Sequence, residues 1–175
     1  MNAIENKIIE LAKADIGIKE IPGNQGWYNK KFQTYMEACG WRMGQAWCSL
    51  WCEKIWKEAY AEVNPVFLPT LDHLFDAGAQ KTYRNFLNDI DFVVDKHCVP
   101  GAVVIWSHYQ NGVETWQGHA GIVINEVCQH EFDTIEGNTN SQGGREGIEV
   151  AQKKRLLNFD ARSGLVLKGF IHPIS

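Results

Sequence analysis

The chain has 175 residues, 45% of them hydrophobic and 22% charged, with seven tryptophans and a formal charge of -4. That length buries the core of one domain without staples, and the composition excludes extensive disorder. The densest basic run, Lys153-Lys154-Arg155, is too short to provide the positive face that nucleic acid requires, so it reads as a solvated strand or turn.

Asn2 followed three residues later by Glu5 has the form of a capping box, and Ile4, Ile8, Leu11 and Ala12 continue at helical spacing until Gly17. Pro22 and the glycines around it mark residues 18–26 as a loop. Phe32, Tyr35, Met36 and Cys39 predict a second helix stopped at Gly40. From residue 48, Cys48, Trp51, Cys52, Ile55, Trp56, Ala59 and Tyr60 recur at three-and-four spacing and predict a third helix that fades at Asn64-Pro65. Glu53, Lys54, Lys57 and Glu58 fall on its opposite face, so this helix is expected to be half buried. A short helix through Leu71, Leu74 and Phe75 is predicted, with Thr70 as cap and Gly78 as terminator.

After Asn88 the period changes. Val99-Pro100-Gly101 signals a turn, and residues 102–106 read as a strand buried on both faces. Further strands are predicted at 120–127, 131–136, 148–153 and 165–172. Helices come first and a largely antiparallel sheet second, which is the α+β pattern, in a single domain spanning residues 1–175.

Cys48 falls at the first turn of the third helix, where unpaired backbone N–H groups and the helix dipole favour a thiolate. A cysteine on an apolar helical face more often packs as core, and only a partner histidine changes that reading. His119 begins a predicted strand and shares a face with Gly121 and Val123. Glu136 and Asn138 share a face on the following strand if that strand continues so far. Either would set a carboxylate or amide beside the imidazole, fix its tautomer and leave its other nitrogen to the sulfur. Cys52 reads as core. No His–Cys cluster of zinc-ligand spacing is present, and His130-Glu131 lacks the second histidine of a zincin, so neither metal nor cofactor is expected.

Five cysteines without a close-set framework predict reduced thiols and synthesis in the cytoplasm. Glu5 stands where a secretory segment would carry its apolar core, and no apolar run is long enough for membrane insertion. A substrate outside the cytoplasm would then be reached after release or export by other means.

The segments Gly17-Ile18-Lys19-Glu20-Ile21-Pro22-Gly23, Ala46-Trp47-Cys48-Ser49, residues 99–104, Gly118-His119-Ala120-Gly121-Ile122-Val123 and Glu136-Gly137-Asn138 together resemble the CHAP domains of the NlpC/P60 superfamily. More narrowly, the chain looks like the short CHAP-type proteins of bacteria and phages. The resemblance runs from about residue 10 to the C-terminus. It implies a papain-like cysteine hydrolase of peptidoglycan, either an N-acetylmuramoyl-L-alanine amidase or a peptide endopeptidase. By position Cys48 matches the nucleophile, His119 the general base, and Glu136 with Asn138 the pair that orients the histidine. Gln45 is a candidate side-chain donor to the oxyanion, beside the Cys48 backbone N–H.

Trp27, Trp41, Trp47, Trp106 and Trp116 flank this site in sequence. Trp47, Trp106 and Trp116 are taken as candidate substrate-binding walls, although core packing is the favoured reading for at least three of the five. The acidic loops that hold calcium in some family members have no clear counterpart, since Asp89, Asp91 and Asp95 read as a solvated stretch. The expected partner is peptidoglycan, met by a monomer as a phage endolysin or as an antibacterial effector with a cognate immunity protein. Two other readings stay open: a thiol hydrolase of the same fold acting on non-wall amides, and an inactive peptidoglycan-binding module.

Overall fold

In the computed structural model, which describes residues 1–128, 130–140, 147–160 and 162–175, α1 (Ala3–Ala14) begins as its sequence predicts. The Asn2 side chain accepts from the Glu5 N–H at 2.9 Å, and the Glu5 carboxylate takes the Asn2 N–H at 2.7 Å. Helix α2 (Lys30–Ala38) is capped by the Asn29 side chain on the Phe32 N–H. Helix α3 (Cys48–Val63) starts at the cysteine itself. A short turn at Pro65–Phe67 leads into α4 (Leu68–Leu74), which starts two residues before Thr70. Gly78 ends no helix. It opens α5 (Ala79–Leu87), an element the sequence reading left unassigned.

Helix α3 is more deeply buried than its charge pattern predicts. Every residue from Cys48 to Trp56 is buried, Glu53 and Lys54 included. Buried charge persists only when paired, and Lys54 meets Asp15 at 2.9 Å and Glu58 at 2.8 Å, while Lys57 reaches Glu53 at 3.4 Å. The aromatic side chains of α3 are buried with their polar ends satisfied. The Trp47 indole N–H donates to Glu20, Trp51 Nε1 to Asp15 at 2.9 Å, Trp56 Nε1 to the Gly101 carbonyl at 3.2 Å, and the Tyr60 hydroxyl to the Ile174 carbonyl at 3.0 Å. These bonds tie α3 to distant parts of the chain, so its register is specified as well as its burial.

The second half forms one antiparallel sheet. Strands β1 (Val94–Asp95), β2 (Val103–Gln110), β3 (Val113–Cys128), β4 (Glu131–Thr139), β5 (Glu149–Leu156) and β6 (Gly164–Ile171) lie in the order β1-β6-β2-β3-β4-β5. Both faces are covered, which explains the continuous apolar run at 102–106. Val103, Ile105, Ala120, Ile122 and Ile135 pack with the helices. Val104, Trp106, Val123, Phe132, Leu167 and Phe170 form a second cluster on the opposite face, beneath Cys98, Val99, Leu157 and Phe159. Asp95, expected to be solvated, lies on β1 and faces His97 at 3.0 Å and His172 at 2.9 Å. Among the described residues, Cys39, Cys48, Cys52 and Cys98 are free thiols, and no helix is long and apolar enough to cross a membrane.

Helix α3 and the residue before it pack directly on β4 at Gly137. A Cβ there would come within 2.6 Å of Trp47 Cζ3 and 2.9 Å of Trp51 Cβ. Both neighbours are fully buried, so neither swings aside at low cost. Gly137→Ala is therefore expected to destabilise the protein by about 1–3 kcal/mol through overpacking, seen as a lower midpoint in thermal denaturation. A midpoint within a degree of the wild type would show that the helix–sheet contact is looser than this.

Candidate active site

Cys48, at the first position of α3, is 6% exposed and meets β3 where the sheet parts. The β3–β4 ladder runs as far as Ile122↔Ile135, whereas β3 continues beside β2 through Ser107↔Gly118. Residues 118–121 thus face β4 without ladder pairing. The sulfur faces that gap, where the His119 ring and the Ala120 and Ser49 backbone N–H groups favour its charged form. Burial by itself raises a thiol pKa. Here the imidazole opposite and the two N–H donors outweigh it and hold Cys48 below the ordinary thiol range.

His119 faces Glu136 on its other side, with Nε2 at 2.8 Å from Glu136 Oε2. Nδ1 is then the nitrogen left for the sulfur. Burial disfavours the imidazolium, but the Cys48 thiolate and the Glu136 carboxylate favour it more, and the His119 pKa rises to about 10. Lowering the thiol and raising the imidazole describe one coupling: each group's charged form favours the other's.

Glu136 is completely buried and has four donors. Besides His119, it accepts from Arg155 Nε at 2.7 Å and Arg155 Nη2 at 2.5 Å, and from the Thr134 hydroxyl at 2.6 Å. Burial would raise its pKa; Arg155 and His119 bring it down to about 2. The carboxylate fits because Gly121 stands opposite, where a Cβ would lie 2.7 Å from Glu136 Cγ. Arg155 also lies over the Trp106 ring, 5.1 Å from its centroid, and the same indole stacks beside His119 at 5.7 Å. The series Cys48–His119–Glu136–Arg155 thus runs from α3 across β3 and β4 to β5.

Arg155 was not singled out by sequence; the basic run that contains it was read as solvated. On β5 it pairs in register with Phe132, and Ala151 pairs with Glu136. Alternation then puts Arg155 on the same sheet face as Glu136. No sequence signal carries that register.

Asn138 does not join Glu136 at the histidine. The β4–β5 register slips between Glu136 and Thr139, and Asn138 takes a positive φ of 54° within this bulge. A bulge re-aims the side chain it carries. The Asn138 amide oxygen accepts from the Trp47 backbone N–H at 2.9 Å, and its Nδ2 donates to the Gly147 carbonyl at 3.1 Å. Asn138 thereby holds the chain just before Cys48, on the nucleophile's side of the site.

The other candidates separate. Gln45 is exposed, and its side-chain oxygen accepts from the Arg42 N–H at 2.9 Å. Trp47 is fully buried, packed edge-on against Trp27 and Phe32, and is core rather than a substrate wall. Trp106, 3% exposed, backs His119 and Arg155 from the second core, and Trp27 and Trp41 are buried as well. Only Trp116 of the five is open to solvent, at 87% exposure. Cys52 is fully buried beneath Cys48, and burial followed by the Cys48 charge pushes its thiol well up. Among the described residues no three His, Cys, Asp or Glu side chains converge to hold a metal ion.

A thiolate aligned with an imidazolium, itself fixed by a buried carboxylate, can attack an electrophilic carbon and return a proton to the leaving group. No family model, no curated protein and no solved structure matches the chain.

Proposed function

We propose that this chain is a cysteine amidohydrolase of papain-like architecture that cleaves amide bonds in bacterial peptidoglycan, as an N-acetylmuramoyl-L-alanine amidase or a peptide endopeptidase. The observation that carries the chemistry is the Cys48–His119–Glu136 series, in which an imidazole hydrogen-bonded to a buried carboxylate faces a thiol whose charged form it favours. The cell-wall substrate rests on the sequence resemblance to CHAP domains.

In this reading the Cys48 thiolate attacks the scissile carbonyl carbon and forms a C–S bond. The oxyanion that results lies at the start of α3, where the Cys48 N–H is the natural donor. Collapse breaks the C–N bond as His119 gives its Nδ1 proton to the departing amine. Water then adds to the thioester, losing a proton to His119, and releases the carboxylic acid and the thiolate. Trp116, three residues before His119 and open to solvent, offers an aromatic face to a sugar or stem peptide.

Purified sacculi incubated with the protein are expected to release fragments with new amino termini, identified by mass spectrometry, and Cys48→Ala is expected to release none. Equal release by Cys48→Ala would overturn the proposal. Cleavage of amides in a panel of proteins, with sacculi left intact, would keep the chemistry and remove the substrate.

A further inference from the structure

Helix α5 touches the nucleophile's helix and the strand that carries the base at once. We infer that Gln80, on its first turn, is a positioning residue that sets His119 against Cys48. The inference rests on reading Cys48 and His119 as a reactive pair.

Pairing of β2 with β3 is regular through Ser107↔Gly118, and the next pair is Tyr109↔Glu114. Strand β2 therefore advances two residues while β3 advances four, and Thr115, Trp116 and Gln117 bulge out of the ladder immediately before Gly118 and His119. A bulge leaves backbone groups without ladder partners. Two of them, the carbonyls of Thr115 and Gln117, accept from the same Gln80 Nε2, at 2.8 and 2.6 Å. Both hydrogens of that amide are committed, and the side chain is 8% exposed. Gly118 lets it lie close, because a Cβ there would come within 3.0 Å of Gln80 Cγ and 2.8 Å of the Trp106 carbonyl oxygen.

Two residues along α5, Thr82 Oγ1 lies 2.9 Å from the hydroxyl of Ser49, the neighbour of Cys48. Both hydroxyl residues are fully buried, and Thr82 is also bonded to the backbone N–H and carbonyl of Asp76. The first turn of α5 thus grips α3 through Thr82 and β3 through Gln80. His119 has to keep Nε2 on Glu136 and Nδ1 on the sulfur together, so a small displacement of its strand weakens both contacts. The clamp on the Gln117 carbonyl, two residues from His119, limits that displacement.

Gln80→Met keeps the length of the side chain and removes both donors. The measurement is the rate of Cys48 modification by iodoacetamide against pH, with the fold followed by circular dichroism. Wild-type Cys48 is expected to react well below the ordinary thiol range. In folded Gln80→Met the rate at pH 6 is expected to fall tenfold or more, with the midpoint moved toward an ordinary thiol.

A purely structural role for Gln80 would lower thermal stability and leave that profile in place, so a folded variant with the wild-type profile overturns the inference. If Gln80→Met does not fold, Gln80→Asn decides, since its shorter amide reaches one carbonyl at most. A smaller shift in the same direction supports the inference, and an unchanged profile overturns it. An ordinary thiol midpoint in the wild type overturns the reactive pair and this inference together. An activated Cys48 in a protein that leaves sacculi intact removes only the cell-wall substrate.

Discussion

With His119 replaced by alanine, Cys48 is expected to lose reactivity toward iodoacetamide at pH 6 by about 10- to 30-fold. In the wild type the imidazole opposes the effect of burial and holds the thiol down. Without it burial dominates, and the thiol returns to its ordinary range or rises above it. A thiol of pKa near 9 is only about one part in 10³ ionised at pH 6, and the greater nucleophilicity of a more basic thiolate recovers part of that loss.

The pH dependence of the wild type follows from the same pair. Reactivity begins on the acid side, below the ordinary thiol range, because the Cys48 pKa is lowered. The imidazolium is lost as pH rises through about 10, and with it the proton for a leaving amine. Peptide-mapped alkylation rates across pH 5 to 8 check the acid limb, and amide cleavage across pH 8 to 11 checks the alkaline one. A His119→Ala profile that overlays the wild type would show that the histidine does not activate the sulfur.

Arg155→Met is expected to produce the largest loss of stability of any single change at the site, about 3–5 kcal/mol. The variant leaves a fully buried Glu136 with two of its four donors removed. A buried carboxylate that loses its permanent counter-charge is the costly outcome, whereas removing both charges together is often close to neutral. The double variant Arg155→Met with Glu136→Gln is therefore expected to recover most of the loss, which separates charge from packing over Trp106.

The sign of the pH effect agrees. Glu136 has its pKa depressed from 4.5 to about 2, so its contribution to stability is complete above about pH 4.5 and disappears as pH falls toward 2. Arg155→Met is expected to raise that pKa and flatten the acid limb. Denaturant unfolding at several pH values measures both effects; an Arg155→Met protein as stable as the wild type at pH 7 would mean that the ion pair contributes nothing net.

The helices and strands were legible wherever a pattern repeats within one element. The capping box at Asn2, the apolar stripe from Cys48 to Tyr60 and the apolar run at 102–106 each predict their element from neighbours a few residues away. Helix α5 was missed because its buried residues, Ala79, Gln80, Thr82 and Phe86, include two polar side chains whose partners lie on other elements. The early start of β3 has its signal in Asn111-Gly112, both at positive φ, the dipeptide that favours a tight hairpin turn.

By itself the sequence determined an α+β chain, a cysteine at a helix start, a histidine on a strand and an acid on the next strand. All of these follow from local periodicity and residue chemistry. Tertiary structure alone decided that Arg155 rather than solvent meets Glu136, that Asn138 turns to the Trp47 N–H, that four of the five flanking tryptophans are buried, and that Gln80 holds the strand before His119. The physical reason is register. A bulge or a slip of one residue reverses which face a side chain takes, and which strands lie together is set by contacts far apart in the chain.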